Sequence, residues 1–258
     1  MPEVLHTIDG HAATITLRNE GRFNAMSLGM WNTLGDTLDL LQANAEVRVV
    51  VLRGDGDKAF VSGADISEFG AQRSDLAGVQ AYDNAVRRAQ HGITHLRCPV
   101  IAAISGICFG GGLGLALACD LRYAAPGARF RMPAGRLGLG YALDGIKRMV
   151  DVLGPARSAE LFYTASVCDA AQALAMGLLN AVHDDVFAHV QRLAADIAGN
   201  APLTLAAGKL AFNTVLGGCD PADAAVVDAA VKACFDSSDY IEGRAAFAQK
   251  RAPRFTGR

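Results

Sequence analysis

Residues 100–120 read VIAAISGICFGGGLGLALACD, and the fold turns on how that stretch is parsed. Val100 to Ile104 is apolar and rich in β-branched residues, the pattern of a buried strand. Ser105-Gly106 ends it. After Ile107-Cys108-Phe109 come Gly110, Gly111 and Gly112, and the apolar helix they lead meets no charged side chain until Asp120. Each glycine costs a helix roughly 1 kcal/mol relative to alanine. A chain tolerates three in succession where backbone must approach another group closely, or where bare N–H groups are the working parts. The first N–H groups of a helix lack partners within it and lie at the positive end of its dipole, which suits an anionic oxygen. A tight strand-to-helix turn packed on a sheet would use the same glycines without any ligand.

Working outward, strand-like and helix-like segments alternate. Ala13 to Leu17 alternates β-branched and apolar residues and reads as a strand. Ser27 is an expected N-cap for a helix to about Ala43, with Met30, Leu34, Leu38 and Leu41 at helical spacing. Val47 to Arg53 has a buried-strand pattern, Ala77 to Arg97 is an amphipathic helix closed by Cys98-Pro99, and Leu121 to Ala124 is a short strand. Strands this apolar, separated by helices, imply parallel pairing covered on both faces. From Gly145 onward helices dominate. From about Ala201 no strand is expected, only helices over Pro202 to Val215 and Pro221 to Phe235, followed by the basic tail AFAQKRAPRFTGR. The expected organisation is therefore a core over residues 1–200 and a helical appendage over 201–258.

The 258 residues suffice for one large domain, and 51% hydrophobic with 19% charged residues describes a filled core. Mean hydropathy is +0.22, yet no apolar run reaches the ~18 residues of a spanning helix. A net charge of −2 gives no footprint for nucleic acid. The start, MPEVLHTIDG, has no basic segment followed by an apolar core, so a signal peptide is not expected. The six cysteines (Cys98, Cys108, Cys119, Cys168, Cys219 and Cys234) form no CxxC pair. They read as buried thiols of a soluble cytoplasmic protein without a metal site.

Nucleotide-binding readings fail on spacing. Gly110, Gly112 and Gly114 give GxGxG rather than GxGxxG, and no GxxxxGK[ST] or GxSxG occurs. A second backbone element does stand out, Ala59 to Ile66 (AFVSGADI), at the end of a loop after VVVLRGDGDK. N–H groups from this element and from the glycine-led helix, converging on one oxygen, would form an oxyanion hole.

Taken together, these elements resemble the crotonase (enoyl-CoA hydratase/isomerase) superfamily over nearly the whole chain. The matching pieces are LRNEGRFNAMS at 17–27, AFVSGADISEF at 59–69, residues 98–124, ARFRMPAGRLGLGYALDG at 128–145, residues 161–182 and EGRAAFAQKRAPRFTG near the C-terminus. The resemblance implies an α/β spiral of repeated β-β-α units, with a C-terminal helical region that builds homotrimers, commonly paired as hexamers. It implies an acyl-CoA thioester as ligand, with coenzyme A part of the substrate and no separate cofactor. The oxyanion-hole donors carry over to the N–H groups of Ala64 and Gly111. Arg22, Phe23, Ala64, Asp65 and Ile66 match segments around the CoA moiety. Lys250 and Arg251 match basic positions that approach CoA phosphates, in part across a subunit boundary. The same tail also reads as a solvated charged face.

The departures from the pattern concern proton handling. The resemblance places one hydratase glutamate at Gly114 and the other at Ala134, and a third acidic position of some members at Ala142. None of these can exchange a proton. Thioester activation is expected without the hydratase acid–base pair, so efficient hydration is not expected. The alternatives are a decarboxylase or C–C cleaving enzyme using Tyr141 or Asp144, and a non-catalytic acyl-CoA-binding subunit. Asp144 reads first as a helix N-cap and only second as a proton donor, and Arg136 as a carboxylate ligand or a surface ion pair. Asp65 is expected to brace its loop through backbone hydrogen bonds, and Asp120 to fix the turn after the glycine-led helix. Glu68 reads as an acyl-pocket or solvated residue. His91 and His95, four apart on a helix, suit a metal only with a third ligand.

Overall fold

Alternation of apolar strands with amphipathic helices builds two sheets in the computed structural model, which describes residues 2–65 and 76–258. In chain order the first elements are β1 (Glu3–Asp9), β2 (Ala12–Arg18), α1 (Leu28–Ala43), β3 (Val49–Gly54), β4 (Ala59–Val61) and α2 (Leu76–His95). Then follow β5 (Val100–Ile104), β6 (Ile107–Phe109), α3 (Gly111–Ala118), β7 (Leu121–Ala124), β8 (Arg129–Arg131) and a single 3₁₀ turn, Ala134–Arg136. The remainder comprises α4 (Leu143–Thr164), β9 (Cys168–Asp169), α5 (Ala170–Ala175), β10 (Ala181–Val182), α6 (Val186–Ala198), α7 (Pro202–Leu216), α8 (Pro221–Asp236) and α9 (Ser238–Gln249).

The larger sheet has the order β1-β2-β3-β5-β7-β10 and the smaller β4-β6-β8-β9. Pairings β2–β3, β3–β5, β5–β7 and β7–β10 are parallel, as the apolar strand sequences require, whereas β1 closes the edge as an antiparallel hairpin with β2. Each repeat sends one strand to each sheet: β3 then β4, β5 then β6, β7 then β8. This is the β-β-α spiral expected. The turn between β5 and β6 uses Gly106 at φ +61, where a β-carbon would sit 1.9 Å from the Lys58 carbonyl oxygen. Only glycine lets the two repeats stack there.

The limits of β5 and β7 coincide with expectation, and Ser27 caps α1 by accepting the Met30 N–H at 3.1 Å. The short strands of the smaller sheet, β1 and helix α9 were not expected; three-residue strands carry too little alternation to register. α9 takes in the first residues of the supposed basic tail. Cys98, Cys108, Cys119 and Cys168 are buried, but Cys219 is exposed and Cys234 half-buried, which corrects the expectation of six buried thiols. Burial pushes the Cys98 and Cys168 thiols up to about 11 and Cys119 to about 12.

The expected boundary near residue 200 falls in the connection between α6 and α7, where Pro202 opens the helix. Asp120 fixes its turn by accepting the Val100 N–H at 2.7 Å, and the same oxygen accepts from Lys209 of α7 at 2.7 Å. In the tail, Glu242 accepts both guanidinium arms of Arg251, at 2.6 and 2.8 Å, and the Arg254 N–H at 2.8 Å. Arg251 first, then the Arg254 N–H, lowers the Glu242 carboxyl from 4.5 to about 2. A carboxylate whose folded pKa is depressed stabilises the fold fully above its unfolded value, and that contribution fades as pH falls through the folded value. Amide protection of Arg254, corrected for intrinsic exchange, should therefore decline between about pH 4.5 and 2. Constant protection across that interval would refute the coupling.

Candidate functional site

Between α3, α2 and the start of α4 lies a cavity of about 460 Å³, lined by Trp31, Ser62, Ala64, Gly110, Gly111 and Tyr141 among others. Its position follows from the glycines. Gly110, at φ +52, precedes the helix without a side-chain cap, and Gly111 opens α3. A β-carbon on Gly111 would lie 3.2 Å from Trp31 Cζ2 and 4.0 Å from the Gly63 carbonyl carbon, the atom bonded to the Ala64 nitrogen. The two backbone elements singled out in the sequence thus meet at one wall. Among the described residues, neither the Ala64 nor the Gly111 N–H has a hydrogen-bond acceptor.

The Ala64 segment is held from both sides. Met26 N–H donates to Gly63 O at 2.8 Å and Asp65 N–H to Met26 O at 3.0 Å, so residue 64 is left with its N–H turned away from that pairing. The Asp65 carboxylate accepts from Asn19 Nδ2 at 3.3 Å and Arg22 Nη1 at 3.0 Å. Asp65 therefore braces its loop, with side-chain contacts to Asn19 and Arg22 as well as its backbone N–H. Ser62, which sequence reasoning passed over, lines the cavity and is itself held by Arg22 and Phe23. Its N–H donates to Phe23 O at 3.0 Å and its hydroxyl to Arg22 O at 3.2 Å. The Phe23 ring is 52% exposed beside this rim. Ile66 and Glu68 lie outside the described residues.

Gly114 and Ala134 both belong to this region, Ala134 in the cavity wall and Gly114 one turn into α3. A side chain at 114 would displace the end of Gln90. A β-carbon there would lie 2.6 Å from Gln90 Nε2 and 3.6 Å from the Tyr141 hydroxyl. Gln90 is buried on the inner face of α2, and its Oε1 accepts from Arg148 Nη1 at 2.7 Å. Gln90 and Arg148 are site residues the sequence reading missed. A glutamine on the otherwise apolar stripe of Tyr82, Ala85, Ala89 and Ile93 was the available signal. Arg148, in the run IKRMV, looks like a surface residue until α4 is docked.

Tyr141 packs edge-on against Phe162 at 5.7 Å between ring centres. Burial raises its phenol pKa, so it enters the cavity as a hydrogen-bond donor at neutral pH. Asp144 is not the helix N-cap: Ala142 occupies that position and Asp144 lies in the first turn, lining the cavity opposite Arg87 at 4.0 Å. Its carboxylate favours the helix dipole from within the turn rather than by capping. Arg136 is exposed in the 3₁₀ turn and does not line the cavity. Lys250 ends α9 in a left-handed conformation and Arg251 pairs with Glu242, so neither lines the cavity of its own chain. His91 and His95 stack at 3.8 Å on α2, and among the described residues no group of three metal-ligating side chains occurs.

The fold and this wall define a class of α/β proteins that set a helix N-terminus and a facing loop N–H at the edge of an apolar cleft. Residues 7–258 match the enoyl-CoA hydratase/isomerase family, and the chain belongs to it. It is 30% identical to the short-chain-enoyl-CoA hydratase of Clostridium acetobutylicum, covering 94% of this chain and 93% of that protein. It is 31% identical to the crotonyl-CoA hydratase of Syntrophomonas wolfei, covering 94% of each. Among solved structures, an enoyl-CoA hydratase/carnithine racemase from Magnetospirillum magneticum superposes with a TM-score of 0.91. The identity is 38%, over 100% of this chain and 97% of that one. The crotonase-type fold is thereby established.

Proposed function

We propose that the protein binds an acyl-CoA thioester and stabilises the enolate derived from it with the Ala64 and Gly111 N–H groups. The observation that carries this reading is the pair of acceptor-less backbone donors, one of them at a helix N-terminus, at the wall of an apolar cavity. Each such donor contributes about 3–4 kcal/mol where charge develops on an oxygen. The family's named hydratases support a CoA ester as ligand. Arg22 and Phe23 at the rim, with Lys250 and Arg251 of a neighbouring copy, are the groups we assign to the CoA moiety.

Hydration needs a base to activate water and an acid to return a proton, together worth ~10²–10⁴ in rate. Glycine and alanine stand where those groups would be. Among the described residues the Tyr141 hydroxyl is the proton donor beside Gly114, which favours a reaction whose enolate forms by C–C cleavage. Loss of CO₂ from a carboxylated acyl group breaks that bond and leaves its electron pair in the thioester enolate. Tyr141 then protonates the α-carbon. Exposed Phe212, Phe235, Ile241 and Phe247 on α7, α8 and α9 support a homotrimer or hexamer. We place it in the cytoplasm; among the described residues no helix is long and apolar enough to cross a membrane.

Assayed on crotonyl-CoA, the protein should hydrate at least about 10²-fold more slowly than an efficient hydratase. Gly114→Glu alone should not restore the rate, because Ala134 still supplies no second acid–base group. Hydration by the unaltered protein at an efficient enzyme's rate would overturn the assignment. Binding without turnover across a thioester panel would instead point to a non-catalytic acyl-CoA-binding subunit.

A further inference from the structure

One end of the cavity holds a cation that donates a hydrogen bond to a neutral group. Arg148 reaches it from α4, and of its five N–H donors one is engaged by Gln90 Oε1 at 2.7 Å. Among the described residues no carboxylate lies within ion-pair distance of it. Its surroundings withdraw water: burial is the main influence on its pKa and acts against the charge, outweighing the opposing influences of Asp144, Tyr141 and Asp151. Asp144 faces Arg87 at 4.0 Å with more than half of each side chain exposed, and Asp83 is exposed on the same helix. Trp31, Val86, Met132 and Leu139 supply the apolar remainder.

Half-buried arginines are normally matched by a carboxylate, because a desolvated charge without a counter-charge is costly. Here, among the described residues, Asp144 and Asp151 act on the guanidinium only from beyond ion-pair distance, while Arg148 lines the cavity. Depth supports the same conclusion. Gly114 lies three residues, about 4.5 Å, along the helix from Gly111, and Gln90 spans from Gly114 to Arg148. A thioester oxygen at Gly111 would thus leave room for a chain of a few carbons before the guanidinium. We infer that Arg148, steadied by Gln90, receives a second carboxylate at the far end of the acyl group, so that the preferred ligands are CoA esters of dicarboxylic acids. This rests on the acyl-CoA reading above, and concerns recognition alone.

The chain's single tryptophan, Trp31, lines the cavity, and its fluorescence reports binding directly. Succinyl- and glutaryl-CoA would be titrated against butanoyl- and pentanoyl-CoA, and against the terminal-amide analogue of glutaryl-CoA. A charge-assisted bidentate contact predicts at least one dicarboxylic ester binding about tenfold or more tighter than its monocarboxylic counterpart and than the amide. In Arg148→Met that preference should vanish while pentanoyl-CoA affinity stays within about twofold. The wild-type comparison of acid with amide keeps the test valid should Arg148→Met fold poorly. Equal affinity for all the esters, or a preference that survives in Arg148→Met, would overturn the role of Arg148 and leave the acyl-CoA reading standing. Binding of none of them would overturn that reading itself, and this inference with it.

Discussion

Gly112→Ala is expected to lower turnover of a CoA-ester substrate by about 10²-fold or more. The added methyl would lie 2.3 Å from the Val61 carbonyl oxygen and 2.7 Å from Val61 Cβ. Neither neighbour is the free end of a flexible side chain. The start of α3 would have to lift away from β4, and the two proposed donors, Gly111 and Ala64, flank that contact along their respective chains. An oxyanion donor displaced from its oxygen loses most of its effect, because its value depends on fixed orientation in a site closed to water. The loss should fall on kcat more than on KM, since CoA recognition at Arg22 and Phe23 lies elsewhere. Gly127→Ala, where the new β-carbon meets nothing within 4 Å, is the control and should leave turnover unchanged. A folded Gly112→Ala protein with kcat within about threefold of the original would contradict the assignment of the hole.

Lys209→Met should produce the largest loss of stability. The Lys209 side chain is only 5% exposed, and its ammonium donates to Ile93 O at 3.0 Å, Cys98 O at 3.1 Å and Asp120 Oδ2 at 2.7 Å. It ties α7 to the end of α2, the approach to β5 and the turn after α3. Removing one partner of a buried charged network strands the others, at a cost of about 3–5 kcal/mol. For a chain of this size that corresponds to a fall in Tm of about 10 °C, readable by thermal denaturation. Asp120→Asn, at a partner that is 31% exposed, should cost less because water replaces part of the contact. A Tm unchanged by Lys209→Met would show that the network contributes nothing net.

These two residues mark where sequence reading succeeds and where it stops. The glycines of α3 were legible because local cost has to be repaid locally. Three poor helix formers at a strand-to-helix junction indicate close backbone approach whatever surrounds them. The larger sheet was legible for a similar reason, since β3, β5 and β7 are apolar on both faces. The smaller sheet was not, because β4, β6 and β8 have three residues each and take their pairing from the repeat rather than from their own pattern. Lys209 gave no signal in PLTLAAGKLAFNTVL, where a single lysine on a helix reads as solvated. Its burial depends on Asp120, 89 residues earlier.

The acid–base question divides in the same way. That Gly114, Ala134 and Ala142 cannot move a proton is a property of the residues and needs no coordinates. What fills the space beside Gly114 was settled only by docking α2 and α4 against α3. Gln90 and Arg148 are 58 residues apart and belong to helices whose own sequences show an apolar stripe and a basic patch. By itself, then, the sequence determined the parallel strands, the glycine-led helix and the absence of acids along it, because each depends on side-chain chemistry or on nearest-neighbour backbone cost. The tertiary structure alone decided that Ala64 and Gly111 meet, that Asp144 is no cap and that a cation waits behind Gly114, because those are distances between segments that only packing brings together.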